Sequence, residues 1–585
     1  MRNLPIAYFR LWQALGAWID VEFKITKFVR LLFMQPSAYS SNTTLRAPIL
    51  WALIPWMIGY WIAERYPPIN PVVLLSISFS GSVFSFVFPA LRLWAPVFLS
   101  SVLCLGILYF QALENSRKAE EPWLSMPVRE LELSLEVIRL FERRDDPYGR
   151  IGGIAEIKKA PAVRQDLLGK RAYFSLRAPS ENERIENGGL LKAAGLLTVL
   201  DESNDSGFNR FLVQEGVAYE FCRGTIFEAT KGKDGYASFC RTWNAKLESF
   251  LRLGSEAKNQ AADVGVAMLL GNKTVLEQKE KQRYVAAGVM HLFAISGLHV
   301  GVVAAATAFL LRGLPGPKWL EALLCLGILF LYVEVTGGTP SATRAFMMVA
   351  FWWAARLLGR PGFSLPAIAA AACLTLLLQP QQLWNPGFQL SYSVVLAIIL
   401  YGIPLAARLQ AMWEPWHYLP AGEHSWRQRF VIACWKWFAG SFGVSFAATV
   451  ASAPLVLIHF GVFTPGAILL NVFLVLIACV AIVSGFASML AGLISCSFIC
   501  PIFNHAQWIL IWIMDSLVEL FLKIPGLFFK LDLCVPFLAY LTLVVTLALV
   551  LGLARKMTMG SAWICLLPPL PLILLVVFAT DSQPL

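Results

Sequence analysis

"HLFAISGLHVG", residues 291–301, is the stretch that decides how this chain is read. It opens a run of apolar residues of membrane-spanning length, yet places His291, Ser296 and His299 where hydrocarbon is expected. Polar groups at that depth usually face protein or a water-filled cavity, and a charged one costs about 2.5–3.5 kcal/mol to insert. Gly297 and Gly301 are four residues apart, so one helix face is small. Two readings follow. One is a close-packed seam whose histidines bond to neighbouring helices. The other is a broken helix lining a wet cavity, where backbone and imidazoles meet a hydrophilic substrate.

Working outward, polar residues recur at membrane depth. "VTGGTPSATRAFMM" brings Thr339, Ser341, Thr343 and Arg344 to the start of a span, and "NPGFQLSYSVV" puts Gln389, Ser391 and Ser393 on one helix. "FAATVASAP" and "GAILLNVF" add Thr449, Ser452 and Asn471. A set spread over several spans favours a shared polar pathway over isolated packing details. Arg344 is its sharpest member, permanently charged and suited to a phosphate or carboxylate.

The whole chain agrees with a membrane class. Apolar residues make up 57% and charged residues 15% of 585, with a mean hydropathy of +0.62. Three apolar runs come first, "PILWALIPWMIGYWIAERY", "PVVLLSISFSGSVFSFVFPA" and "LWAPVFLSSVLCLGILYFQA", each long enough to span. Ten more are expected between 290–311 and 560–580, for about 12–13 transmembrane helices. The first 46 residues carry six Lys/Arg against two acidic residues, which predicts a cytoplasmic N-terminus. They read as an amphipathic surface helix. The net charge of +11 is then read as positive-inside loading of inner loops, with Arg312, Lys318, Arg356, Arg360, Arg408, Arg427 and Arg429 on inner sides. Lys523 and Lys530 fall on the outer side, against that pattern.

Between the third run and residue 290 lies the one long polar stretch. "LELSLEVIRLF" and "RAYFSLRA" alternate, "YGRIGGIAEI" has glycines at a bend, and "GGLLKAAGLLTVL" and "GVAYEFCRGTIFEA" add two more segments. Five short strands with Gly-rich corners suit a small extracytoplasmic barrel, OB-like, with a β-sandwich as the other option. Two amphipathic helices are expected after it. The expected divisions are 1–46 surface segment, 47–112 three spans, 113–237 β domain, 238–289 surface helices, 290–493 transmembrane core and 494–585 C-terminal spans. Cys222 and Cys240 both sit in the polar stretch and are a candidate disulfide if it faces an oxidising compartment. The six histidines and 11 cysteines show no metal-site spacing, so no metal or cofactor is expected.

At these same residues the sequence resembles the ComEC family of competence proteins, inner-membrane channels for transforming DNA. "MLLGNKTVLEQKEKQRYVAAGVMHLFAISGLHVG", "YVEVTGGTPSATRAFMM", "GRPGFSLPAIAAAACLTLLLQPQQLWNPGFQLSYSVV" and "ASAPLVLIHFGVFTPGAILLNVF" resemble successive blocks of the family's competence domain. "GFNRFLVQEGVAY" resembles part of its OB-like domain. The resemblance implies passage of single-stranded DNA into the cytoplasm of a bacterium. It implies that His291, Ser296, Gly297, His299, Gly301, Arg344, Gln389, Ser391 and Asn471 line or shape the channel, with no covalent chemistry. The outer domain would hold the strand with stacking aromatics and basic groups, for which Lys158, Lys159, Arg171, Tyr173, Phe174 and Arg177 are the candidates. Many family members add a metallo-β-lactamase-like nuclease domain. No HxHxDH cluster occurs among His291, His299, His417, His424, His459 and His505, so the chain reads as a short form. Its implied partners are a DNA receptor, a separate nuclease, and a cytoplasmic motor or single-strand-binding proteins. The alternatives are a transporter of another solute or envelope precursor, and an intramembrane serine hydrolase with Ser296 as nucleophile and His459 as base.

Overall fold

The computed structural model describes residues 48–584, except 89–92, 120–128, 142–149, 178–184, 186–187, 201–206, 231–234, 257–258, 273–277, 294, 312–315, 360–363, 414, 417–423, 534, 560–561 and 578–579. The expected N-terminal surface helix, Arg312 and Arg360 therefore lie outside the described residues. The chain divides into two compact units, Met1–Glu120 with Pro361–Pro380, and Glu121–Arg360 with Gln381–Leu585.

The first unit contains α1 (Pro48–Arg65), α2 (Pro71–Val87) and α3 (Trp94–Ala119). Asn70 caps α2 by accepting from the Val72 N–H at 2.9 Å, with Pro71 at the first helical position. Gly59 and Gly106 allow α1 and α3 to meet at backbone distance, since a Cβ on Gly59 would stand 2.5 Å from the Leu103 carbonyl. A later helix, Ser364–Leu378, belongs to this unit and not to the core in which 290–493 had been grouped. The reason is local: Tyr60 and Tyr109 hydroxyls donate to the Leu376 and Leu377 carbonyls at 3.0 and 2.6 Å, satisfying groups that a helix end leaves open.

The second unit begins with a closed barrel of order β1-β2-β3-β5-β4, from β1 (Arg129–Phe141), β2 (Arg150–Lys159), β3 (Arg171–Arg177), β4 (Leu190–Val199) and β5 (Val217–Thr230). All five expected strands form, and closure decides for an OB-like barrel over a sandwich. Neighbours are antiparallel except β3 and β5, which run parallel. Alternate residues fill the interior, among them Leu133, Leu135, Ile157, Phe174, Leu176, Leu191 and Phe221. Gly224 marks the tightest crossing: a Cβ there would lie 1.9 Å from the Ala194 carbonyl, at the bulge where β4 and β5 shift register. A short helix, α4 (Gly207–Gln214), links β4 to β5.

Helices then take over: α5 (Gly235–Leu251), α6 (Gln260–Leu270), α7 (Gln278–Ala286), α8 (Gly297–Leu311), α9 (Lys318–Val335), α10 (Pro340–Leu357) and, after α11 (Ser364–Leu378) of the first unit, α12 (Pro386–Ala397) and α13 (Ile403–Met412). The series ends with α14 (Trp426–Phe460), α15 (Ala467–Leu493), α16 (Cys500–Leu522), α17 (Pro536–Met559) and α18 (Leu570–Val577). A three-stranded sheet of Val462–Phe463, Phe529–Asp532 and Thr580–Pro584 ties together three loops between or after these helices. Among the described residues, seven stretches are long and apolar enough to cross a membrane, against the 12–13 expected. The others fall short for visible reasons. α2 and α11 have 17 and 15 residues, α9 carries Lys318, Glu321 and Glu334, and α10 carries two arginines. Of the helices expected over 238–289, α6 is buried within the protein: Ala262 and Val264 through Leu270 lie between two apolar clusters.

Candidate functional site

The opening stretch is a broken helix. Residues Met290–Leu292 make a single 3-10 turn, and α8 begins only at Gly297. The break is held from behind. Leu292 and Phe293 are buried against Leu470 and Leu474, and the Tyr284 ring stacks on Phe293 at 3.7 Å. Gly288, at φ 71°, presses on Thr464, where a Cβ would stand 2.6 Å from its Oγ1.

At the new helix start, His299 folds back on Ser296. Its Nδ1 accepts from the Ser296 backbone N–H at 3.3 Å and lies 3.1 Å from Ser296 Oγ. With Nδ1 accepting, the ring proton is assigned to Nε2. That atom is fully buried and hydrogen-bonds to nothing in the protein. The small face behaves differently from a packing seam: Gly301 has open space where a Cβ would stand, and Gly297 has only Ala345 Cβ, at 3.8 Å. His291, Gly297 and Gly301 are exposed.

Arg344, in the second turn of α10, is 5% exposed. Its Nη2 donates to the Gly387 carbonyl at 3.0 Å, while Nε has no partner. Glycine at 387 admits the guanidinium, and Asn385 Oδ1 holds the turn by accepting from the Gly387 N–H at 2.8 Å. A buried guanidinium resting on one carbonyl retains most of its capacity for an anion. Gln389 Nε2 donates to the Leu383 carbonyl at 2.9 Å, leaving Oε1 buried and unbonded. Ser391 is half-buried on the same helix, and Asn471 Oδ1 on α15 is a further buried acceptor without a donor. Each such orphan costs about 1–3 kcal/mol, which is why native cores hold few of them.

These residues share an arrangement that no one motif displays. α8 packs on α10, α10 on α12, α12 on α14, α14 on α15, and α15 on α8, a closed circuit of five helices. His299, Arg344, Gln389 and Asn471 sit on four of them. The fifth, α14, adds Ser445, whose hydroxyl donates to the Ile468 carbonyl at 2.9 Å, and Thr449, which donates to the Ser445 carbonyl. Thr339 Oγ1, just before α10, is another buried orphan.

A family model described as "Competence protein" matches residues 268–556, a stretch containing all five circuit helices. A 134-residue stretch is 36% identical to ComE operon protein 3 of Bacillus subtilis, covering 23% of this chain and 17% of that one. A 217-residue stretch is 28% identical to competence protein ComA of Neisseria gonorrhoeae, covering 34% and 30%. An uncharacterized protein of Aquifex aeolicus is 30% identical over 138 residues, covering 23% and 32%. Residues 268–556 therefore carry a competence domain similar to that of the ComEC family. It spans less than a third of the length of each of these relatives. No solved structure matches it.

In the barrel, the candidate strand-holding residues have different surroundings. Phe174 is fully buried in the barrel core. Tyr173 points to the other side but is covered by Phe141 and Phe208, with ring centroids at 6.2 and 5.2 Å. Neither ring is free to stack on a base. Lys158 is held by Glu136 at 2.9 Å and Glu156 at 2.8 Å, and these carboxylates raise its pKa. Arg171 Nη1 donates to the Glu215 carbonyl at 2.8 Å; Lys159 and Arg177 are exposed strand ends. The Cys222–Cys240 disulfide is not made. Cys222 Sγ, on β5, donates to Glu220 Oε1 at 3.2 Å, whereas Cys240 packs with Trp243 against the helical core.

Two carboxylates on the apolar helices have partners. Asp515 accepts from the Tyr284 hydroxyl, and Glu334 accepts from Tyr236 at 3.3 Å.

Proposed function

We propose that this chain conducts one strand of DNA across the bacterial inner membrane into the cytoplasm, along the polar residues of the five-helix circuit. The observation that carries the reading is Arg344: a buried cation, bound to a single carbonyl, on a helix whose neighbours each present further polar groups. A phosphodiester supplies the negative charge that such a group lacks, and His299 Nε2–H is a second donor. Gln389 Oε1 and Asn471 Oδ1 are acceptors for base or sugar donors. Each contact is single, which suits a polymer that must also leave. Similarity to the competence family and at least seven membrane-length apolar stretches support transport at a bilayer.

In this reading residues 1–46 are cytoplasmic, the barrel stands outside, and 290–493, without α11, forms the core. The barrel guides the strand through Lys159, Arg171 and Arg177 more than through rings. A DNA receptor, a nuclease and a cytoplasmic motor or single-strand-binding protein are its partners. The test is internalisation of labelled DNA in a deletion strain. Loss of internalisation with surface binding intact is expected; normal internalisation contradicts the reading.

One observation favours a second reading. The Ser296–His299 contact resembles a nucleophile–base pair, supplied by His299 in place of His459. It uses Nδ1, which the Ser296 backbone N–H also occupies, and no described group orients Nε2. Fluorophosphonate labelling of Ser296 would favour hydrolysis; an unlabelled serine removes it.

A further inference from the structure

β3 carries an arginine at each end, and the two have opposite neighbours. Arg171 stands across from Glu156 on β2, and its Nη1 donates to the Glu215 carbonyl at 2.8 Å. Arg177 stands across from Arg150 on β2 and Thr225 on β5. Like charges directly opposite one another destabilise a sheet, so folding alone gives no reason for the second pair. Arg150, Arg177 and Thr225 are all exposed. Arg150 also makes itself felt across β3, where its charge opposes the rise that burial imposes on the pKa of the Cys222 thiol of β5.

A bulge brings a third arginine to the same end. The β3–β5 register passes from Ser175–Cys222 to Leu176–Gly224, which leaves Arg223 as the extra residue. It is exposed and holds φ 54°, the left-handed region that a Cβ disfavours. Glycines let β4 and β5 close behind it, since a Cβ on Gly195 would stand 3.3 Å from Gly224 Cα. Glycine would also suit position 223, and an arginine kept there at a cost points to use. Among the described residues no carboxylate pairs with Arg177 or Arg223, unlike Lys158 and Lys192. The acidic side of the barrel is elsewhere. Glu130, Glu132 and Glu136 project from β1, alternating with buried Leu133 and Leu135, and one strand separates β1 from β3 and from β5. Glu220, on β5 itself, accepts from the Cys222 thiol.

We propose that Arg150, Arg177 and Arg223 together bind the phosphate backbone of single-stranded DNA at this end of the barrel. Resting on the channel reading above, the site adds Arg150 and Arg223 to Arg177 and puts the hold at this end of β3, away from Arg171. The three arginines stand on adjacent strands, so their Cα atoms span about 10 Å at the usual strand spacing. Each guanidinium donates to phosphate oxygens, and Thr225 adds a hydroxyl donor. The contacts are to the backbone, so they hold any sequence alike.

The test is the affinity of the full chain, held in lipid nanodiscs, for a labelled oligothymidylate, followed by fluorescence anisotropy over a salt series. Arg177→Gln and Arg223→Gly should each weaken binding about fivefold at low salt, as the loss of one exposed ion pair does. Each should also lower the slope of log affinity against log salt by about 0.7, the share of one phosphate contact on a single strand. Arg223→Gly should keep the unfolding midpoint at or above that of the wild type, because glycine relaxes the bulge. A merely structural arginine would move the midpoint down and leave the salt slope alone. Lys192→Gln removes an equal charge from a paired site and should change neither affinity nor slope. The same losses are expected in an Arg344→Ala background, which separates the barrel from the circuit. A strand that binds both arginine variants as it binds the wild type overturns this site and leaves the channel reading standing. Normal DNA internalisation in the deletion strain overturns the channel reading itself. Displacement of the strand by inorganic phosphate at the same phosphate concentration would overturn the assignment to a polymer.

Discussion

The barrel and the five-helix circuit both carry basic and polar side chains, and they treat them in opposite ways. In the barrel, Lys158 sits between Glu136 and Glu156, and Lys192 lies 2.6 Å from Glu228. These cations are on the surface and already neutralised. In the circuit, Arg344 is buried with a carbonyl for company, and His299, Gln389 and Asn471 each keep a buried polar atom without a partner. A count of basic residues would direct a polyanion to the barrel. Under the proposed function, the pairing of those residues directs it to the circuit instead, where Arg344 has one carbonyl as its hydrogen-bond partner.

This contrast can be broken at several points. The largest effect belongs to packing: Phe174→Ala should destabilise the barrel by about 3–5 kcal/mol, because it empties a core site. Denaturant unfolding of the chain would report it, and a near-wild-type midpoint with weakened strand binding would return Phe174 to a stacking role. Next comes Arg344→Ala, which should reduce DNA internalisation by about tenfold to a hundredfold at unchanged membrane abundance, as expected for a hydrogen bond to a charged group. Wild-type uptake would make Arg344 a helix-packing residue. His299→Ala should cost about tenfold or less, since its donor is neutral.

Smaller effects sharpen the barrel side. Lys158→Ala should change stability by about 1 kcal/mol or less, as exposed ion pairs do, and leave single-strand affinity unchanged. A marked loss of affinity would show that Glu136 and Glu156 release the lysine to DNA. The smallest effect concerns Cys222, whose thiol is pushed up to about 12, chiefly by burial and then by Glu220. An unfolded thiol ionises near about 8.5. The folded barrel keeps the proton across that window, so its stability should fall as pH rises from about 8.5 towards 12 and stay level for this group below it. Unfolding midpoints of wild type and Cys222→Ala, compared at neutral and alkaline pH, measure the difference. Rapid alkylation of native Cys222 at neutral pH would contradict the shift.

Much of the architecture was legible because it rests on periodicity. Alternation marked β1 and β3, glycines at a bend marked β2, two further strand-like segments matched β4 and β5, and the apolar runs marked the membrane helices. Residue parity separates the two aromatic candidates on β3. Tyr173 and Phe174 are adjacent on β3 and so face opposite sides, which guarantees that one ring is interior. That the outward ring is also covered depends on Phe208, about 35 residues later, and no local pattern reports it. The Asp515–Tyr284 bond joins residues 231 positions apart, and α11 leaves its sequence neighbours for the first unit. Both are settled by tertiary packing alone. The circuit residues were found individually because each is polar at membrane depth. Their closure into a ring needs the order in which helices pack.

The most direct test places a photo-crosslinking residue at position 299, 344 or 389 in turn, and at Ile509 on the apolar face of α16, during uptake of labelled DNA. Crosslinks to the strand from the three circuit positions and none from 509 are predicted. Uptake that proceeds with no crosslink from any circuit position would contradict the account.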